Sequence, residues 1–475
     1  MLRSFRWSLW MLAGGCLVSL PVASWADTPK TPAKPAVPAA KVVVVKETAP
    51  VAGETPAVTP VETADNANEA TKKLIEQMQK EQAEATKLLK KHRDDAPFQQ
   101  KNTIRLPAGN GMILGFCVLP SGTIATISGQ SQTYGLSVNG ALQAISGSQG
   151  KPVGKRVQWL DDSGKVLQTA ELDFTPKAIN SASDGTVIVV GEGQIARFDE
   201  KGKKLSQIES PHITQAVSNL EKFEAEVMEK HEEEIAQYED QAKQFTETVK
   251  EVEAKPAAER SKSESAQLSQ MKSITKSLEA NIKAKKAMKK EVIVKQALTR
   301  LKELHRVAVS DKYVFVVSNE TAGYGFCIWR MPHDFSEAKK VVSKLSGCCG
   351  QMDVQVMDGE LAIAENSRHR VLLVDFDGKM NRSFGSTSRT DVTKGFGGCC
   401  NPMNTCCDAK GNLLTSESNG LVKLYKPNGE FQSIVGVAGV TEGCKNSSIG
   451  ISPDGNSVYY FDVQKGEILV MKKGA

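Results

Sequence analysis

Ala364-Glu365-Asn366-Ser367-Arg368-His369-Arg370-Val371-Leu372-Leu373-Val374-Asp375-Phe376-Asp377-Gly378-Lys379 reads as a polar turn, a short apolar run and a glycine turn. The same texture of short Val/Ile/Leu/Phe-rich runs and turn dipeptides holds from Thr103 to Gly202 and resumes before Gly323. Ser121-Gly122, Asp184-Gly185, Asp358-Gly359, Lys410-Gly411 and Asp454-Gly455 each follow one apolar run and precede another. A second set, Ser163-Gly164, Lys201-Gly202, Asp377-Gly378, Asn428-Gly429 and Lys465-Gly466, closes the next hairpin. Short strands at regular spacing with glycine-bearing turns form repeated antiparallel sheets. A repeat of about 40 to 60 residues favours a propeller over a sandwich.

Units begin near Met112, Lys177, Arg306, Gln351, Asn404 and Ser447, which predicts an all-β six-bladed propeller. The last unit shows three strands before Ala475. Thr103-Ile104-Arg105-Leu106 is available as its missing outer strand, which would close the ring and cover two sheet edges. Ala364 to Lys379, followed by Phe384-Gly385, resembles the consensus of NHL repeats. Ser416-Glu417-Ser418-Asn419-Gly420-Leu421-Val422-Lys423-Leu424-Tyr425 with Pro427-Asn428-Gly429 repeats it. The resemblance implies a six-bladed propeller, usually used for binding, and no single activity.

At the other end, Arg3 and Arg6 precede an apolar run from Ser8 to Ala23 and then Ser24-Trp25-Ala26, the order of a cleaved secretory signal. Residues 1–26 are read as that signal, with the mature chain starting at Asp27 in a periplasmic or secreted setting. The apolar run is broken by Gly14, Gly15 and Pro21 and is short of the ~20 residues of a membrane span; after cleavage no transmembrane segment is expected. Residues 27–65 hold seven prolines and no aromatic residue, the composition of a disordered tether. Residues 66–93 are rich in helix formers, with Leu74, Met78, Ala85, Leu88 and Leu89 as a loose stripe. Propeller sequence then covers 102–210 and 305–475.

Between Gly202 and Gly323 glycine vanishes, although the chain has 38. Ile213, Val217, Leu220, Val227, Ile235, Tyr238, Ala242, Phe245, Val249 and Val252 keep three/four spacing, and a second stripe runs from Leu268 to Leu301 beyond a break at Pro256. Residues 212–304 are therefore expected to form an antiparallel coiled-coil hairpin, about 60 Å long at ~1.5 Å per residue. Its arms carry opposite charge: four lysines against twelve acidic residues in 213–253, and twelve basic against five acidic in 259–304. The lysine-rich arm thus has its neutralising partner in the same chain, and no nucleic-acid partner is expected. A protein partner, or a second copy, is the expected contact of this hairpin.

Nine of the ten cysteines remain after signal removal, an odd count in an oxidising compartment. Cys348-Cys349-Gly350-Gln351-Met352 and Cys399-Cys400-Asn401-Pro402-Met403 share the pattern Gly-Cys-Cys-x-x-Met, each just before the first strand of a blade. Gly443-Cys444 holds the comparable place before the last unit, and Cys406-Cys407 lies within a first strand, level with Cys117. First strands line the axis of a propeller, so these cysteines are expected to converge at one mouth. Cys348, Cys349, Met352, Cys399, Cys400, Met403, Cys406, Cys407 and Cys444 form the candidate soft-metal site, for copper or zinc, since thiolate and thioether ligands are soft. Structural disulfides, redox thiols and packing cysteines stay open beside it.

Some six-bladed relatives of the family this chain resembles act as enzymes and hold a metal with channel histidines. Of His305, His333 and His369, only His305 lies near a first strand, and His369 fits a consensus turn. Asp353, Asp358 and Asp408 fall at strand starts and turns, where carboxylates cap backbone groups. No nucleophile elbow, phosphate loop or zinc-protease helix is present, so no catalytic residue is assigned. The expected function is that of an exported binding or scaffolding protein, with a metal-handling or thiol redox protein as the alternative.

Overall fold

The computed structural model describes residues 65–107, 110–129, 132–136, 142–146, 154–348, 352–388, 391–398, 400–440 and 447–474. The signal and tether expectations, together with Cys349, Cys399 and Cys444, lie outside the described residues. The chain divides into two units, one of them Asn66–Ser131 with Ser146–Ala475. In the other, the described strands β4 (Gln132–Leu136) and β5 (Leu142–Ser146) pair as a two-stranded sheet.

The larger unit begins with helix α1 (Asp65–Asp95) and strand β1 (Phe98–Ile104). Four-stranded antiparallel sheets follow. The first joins β2 (Met112–Val118), β3 (Ile124–Gly129), β6 (Lys155–Leu160) and β7 (Val166–Leu172). The second joins β8 (Ala178–Ser181), β9 (Val187–Gly191), β10 (Gln194–Phe198) and β11 (Lys204–Glu209). The third runs β12 (Leu304–Val309), β13 (Tyr313–Asn319), β14 (Phe326–Pro332) and β15 (Lys339–Leu345). The fourth runs β16 (Asp353–Met357), β17 (Glu360–Glu365), β18 (Arg370–Asp375) and β19 (Met380–Phe384). An eight-stranded sheet then joins β20 (Asn404–Cys407), β21 (Leu413–Ser416), β22 (Leu421–Tyr425) and β23 (Phe431–Val437) to β24 (Ile449–Ile451), β25 (Ser457–Asp462) and β26 (Glu467–Lys473) through β1.

The N-terminal strand is the outer partner of β26, in antiparallel register from Phe98↔Lys473 to Ile104↔Ile468. It also bridges β23 at Phe98↔Gly436. It begins at Phe98, earlier than the Thr103–Leu106 run singled out from apolar content, because Gln99 to Thr103 is an unbroken polar stretch with no apolar signal. The first strands touch in turn, β2 to β8, β8 to β12, β12 to β16, β16 to β20 and β20 to β24, and β24 returns to β2. A closed ring of sheets around an axis is a β-propeller.

The turns explain the repeat. In four hairpins an aspartate accepts from the backbone N–H groups two and four residues on: Asp161, Asp199, Asp375 and Asp408. Three residues after each stands a glycine at positive φ, where a side chain strains the backbone. At Gly378 a Cβ would lie 1.8 Å from the Val341 carbonyl oxygen, so no other residue fits.

Between β11 and β12 stands a helical insertion: α2 (Pro211–Ser218), α3 (Leu220–Glu253), α4 (Lys262–Lys286) and α5 (Lys290–Lys302). Helix α3 packs against α4 and α5. Lys272 pairs with Glu253, Lys286 with Glu239 at 2.6 Å, Lys285 with Glu234 at 2.9 Å and Lys290 with Glu224 at 2.5 Å. Numbers rise on one side as they fall on the other, so the helices run antiparallel. At the root, Ile213, Phe223, Val227, Ala297 and Leu301 pack with Trp329 of β14. His212 is locked there, with Nδ1 accepting from Ser210 Oγ at 2.8 Å, Nε2 donating to the Leu301 carbonyl at 3.0 Å and its ring stacked on Trp329. Burial pulls its pKa down to about 4. The stripe read from sequence fails at Val217 and Leu220, which are 52% and 43% exposed. The chain leaves helical geometry at Asn219, between α2 and α3, so the two helices do not share one face.

The axial cavity and the cysteine mouth

A cavity of about 230 Å³ lies on the propeller axis, lined by residues of every first strand: Phe116, Asn180, Arg306, Asp353, Cys406 and Ile449 are one from each. Cys117 and Cys407 also face it. Its polar groups are bonded across strands. Arg306 Nε lies 3.3 Å from Asp353 Oδ1, and Asp353 Oδ2 accepts from the Thr405 N–H at 2.9 Å and its hydroxyl at 3.0 Å. Asn180 Nδ2 donates to the Val307 carbonyl and to Gln355 Oε1, each at 3.0 Å, and Asn404 Oδ1 accepts from the Ile449 N–H at 3.1 Å. Burial pushes the Asp353 carboxyl up, and Arg306 opposes that shift. Burial also raises the cavity thiols, Cys117 and Cys407 to about 12 and Cys406 well above its ordinary value.

At the start of the fourth and fifth sheets the chain enters through the cysteine-bearing segments. Buried Glu365 accepts from the Ser346 N–H at 3.0 Å and pairs with Arg370 at 2.6 Å, while Asn366 Oδ1 accepts from the Cys348 N–H at 2.7 Å. One unit further on, Glu417 pairs with Lys423, both with 0% side-chain exposure, and Glu417 accepts from the Gly397 N–H at 3.2 Å. Lys423 Nζ donates to the Gly395 carbonyl at 2.6 Å and lies 5.0 Å from the Phe396 ring centre. Asn401 donates to the Gly397 carbonyl at 2.6 Å and accepts from the Ser418 N–H at 2.8 Å. These ties bring the Cys348 and Cys400 sulfurs to 2.9 Å from each other.

The candidate residues therefore fall into separate places. Cys348 and Cys400 meet in the segments that precede β16 and β20, and Cys406 and Cys407 line the cavity. Met352 is 1% exposed within the core of the third and fourth sheets, and Met403, also 1% exposed, donates its N–H to the Ser416 carbonyl. Among the described residues, no three His, Cys, Asp or Glu side chains gather as a metal-holding group. His305 bonds Asn319 Oδ1 through Nε2 at 3.0 Å, and burial pulls its pKa down to about 4. His369 sits in the left-handed region at φ 52°, ending a short 3-10 turn.

Sequence reasoning passed over Asp353 as a turn carboxylate and did not single out Glu365, Glu417 or Lys423. A signal was present: Glu320, Glu365 and Glu417 each stand at or just after the second strand of successive sheets. Glu320 likewise accepts a backbone N–H, that of Lys344 at 2.8 Å.

The protein is thus a β-propeller with a helical insertion. Similar solved structures include the calcium-binding protein regucalcin from Agrobacterium tumefaciens, at 11% identity, covering 79% of this chain and 96% of that one with TM-score 0.40. A gluconolactonase from Xanthomonas campestris is 10% identical over 79% of this chain and 99% of its own, TM-score 0.36. The WD40 β-propeller domain of Doa1 is 7% identical over 80% and 98%, TM-score 0.36. No family model and no curated protein sequence matches the chain. Likenesses this distant carry no argument about activity. No described helix is long and apolar enough to cross a membrane.

Proposed function

We propose that this chain is an exported, six-bladed, NHL-like propeller that binds or scaffolds a protein partner in the cell envelope, with the helical insertion as its coiled-coil contact arm. The observation that carries this reading is the build of the insertion. Its helices are zipped to one another by ion pairs and rooted on β14 through Trp329, so the arm keeps its form without a partner. Val217, Leu220 and Val292 nonetheless stay exposed on it, at 52%, 43% and 44%. These side chains are the arm's candidate contacts with a protein or a second copy. In the axial cavity Arg306 and Asp353 are engaged with each other across strands. Export rests on Arg3, Arg6 and the Ser24-Trp25-Ala26 site.

Deleting residues 212–303 and joining the ends by a short linker tests the arm. The shortened chain is expected to keep cooperative β-type unfolding, because the ring closes through strands on both sides of the insertion, and to lose association measured by light scattering and co-purification. Unchanged association removes the arm's role. The alternative, a soft-metal or thiol redox protein, is favoured by one observation, the contact between the Cys348 and Cys400 sulfurs. Metal content of anaerobically purified chain separates its two forms.

A further inference from the structure

We infer that Cys348 and Cys400 are a thiol–disulfide pair that reversibly cross-links the segments leading into β16 and β20. This rests on the thiol form of the alternative reading above. The sulfurs stand 2.9 Å apart, about 1 Å beyond the ~2.0 Å of a disulfide bond, though 52 residues separate them in the chain. Their meeting is built from both sides. Asn366 holds the Cys348 N–H and Glu365 holds Ser346, while Asn401 ties Gly397 and Ser418 beside Cys400 and Glu417 holds Gly397 from within. Glu365, Asn366, Glu417 and Asn401 are all at most 1% exposed. Neighbouring sheets thus deliver one sulfur each from rigid anchors, the arrangement that gives the two thiols a high effective concentration for each other.

The two cysteines differ in access: Cys348 is half-buried, and Cys400 is 1% exposed. Cys348 is the sulfur that meets a small-molecule disulfide oxidant such as oxidised glutathione. Its thiolate attacks one sulfur of the oxidant, the oxidant's S–S bond breaks, and one small thiolate leaves and takes a proton. The Cys400 thiolate then attacks the Cys348 sulfur in the mixed disulfide and expels the second small thiol. Two protein thiols have lost two electrons and two protons, and the oxidant has become two thiols.

The test uses the full mature chain with Cys349, Cys399 and Cys444 replaced by serine, incubated with oxidised glutathione, alkylated and digested. The expected result is a linked peptide pair joining Cys348 to Cys400, assigned by fragment ions because Cys406 and Cys407 share the tryptic peptide of Cys400. The link vanishes with dithiothreitol, is lost in C348S and in C400S, and survives in C117S. Alkylation of both residues after saturating oxidant overturns the pair, as does linkage of either to another cysteine. The same alkylation on the wild-type chain keeps the two levels apart. If no cysteine changes state on oxidation, the thiol reading itself falls; if thiols are lost but elsewhere, only this pairing falls.

Discussion

Apart from Cys327, which is buried in β14, the described cysteines fall in two regions, and the neighbours give them two chemistries. On the axis, Cys117, Cys406 and Cys407 sit in strands that wall a narrow cavity, and burial lifts each thiol so far that it stays protonated. They behave as small apolar residues. At the mouth, Cys348 and Cys400 sit in loops outside the regular strands, pinned by buried asparagine and glutamate until their sulfurs touch. Each region also holds a buried ion pair, Arg306 with Asp353 on the axis and Glu417 with Lys423 beside the segment that carries Cys400. The comparison teaches that a regular strand dilutes cysteine into packing, whereas a loop anchored by buried polar groups can aim it.

The largest expected effect comes from breaking the mouth pair. Glu417→Ala leaves the Lys423 ammonium, 0% exposed, without its counter-charge and is expected to cost about 3–5 kcal/mol in denaturant unfolding. The parallel Asp353→Ala should cost less, about 2–3 kcal/mol, because Arg306 keeps 11% side-chain exposure and some access to water. If Asp353→Ala costs more, the axis rather than the mouth is the anchor of the ring.

Thiol labelling sharpens the contrast directly. At pH 8 a thiol near 8.5 is about one quarter thiolate, and one at about 12 is about 10⁻⁴ thiolate, so Cys117 and Cys407 in the folded chain should alkylate about a thousandfold more slowly than a model thiol. Mass spectrometry of timed maleimide quenches reads this, and fast labelling on the axis would erase the distinction between the regions.

The smallest effect separates both regions from the arm root. His212 and His305 have pKa values of about 4, so each is neutral in the fold and takes up a proton on unfolding below ~6.5. Their contribution to stability is intact above ~6.5 and is lost as pH falls toward 4, at about 1.4 kcal/mol per pH unit for each. His212→Gln should remove about half of that histidine slope, measured as the pH dependence of the unfolding midpoint from 6.5 to 5. An unchanged slope would mean that the arm root opens to water before the sheets unfold.

Much of the architecture is written locally, and so the sequence alone determines it. Alternating strands and the glycine turns report sheets wherever they occur, because an aspartate binding backbone two and four residues on, with glycine at positive φ, needs no distant partner. The opposed charges of the two helical arms, and the cysteine doublets at matched offsets, are equally visible in one dimension. Tertiary structure alone decided which cysteines meet, since Cys348 finds Cys400 through the spacing of two neighbouring sheets around an axis. It also decided the fate of charged residues that look like surface groups in the chain: Lys423 and Glu417 are sealed from water, and Asp353 spans three strands. Burial depends on what the rest of the ring lays over a residue, and the Arg306–Asp353 pair forms because strands of two neighbouring sheets are held a few ångströms apart. Neither quantity has a local signature, which is why periodicity reveals the blades and not the chemistry inside them.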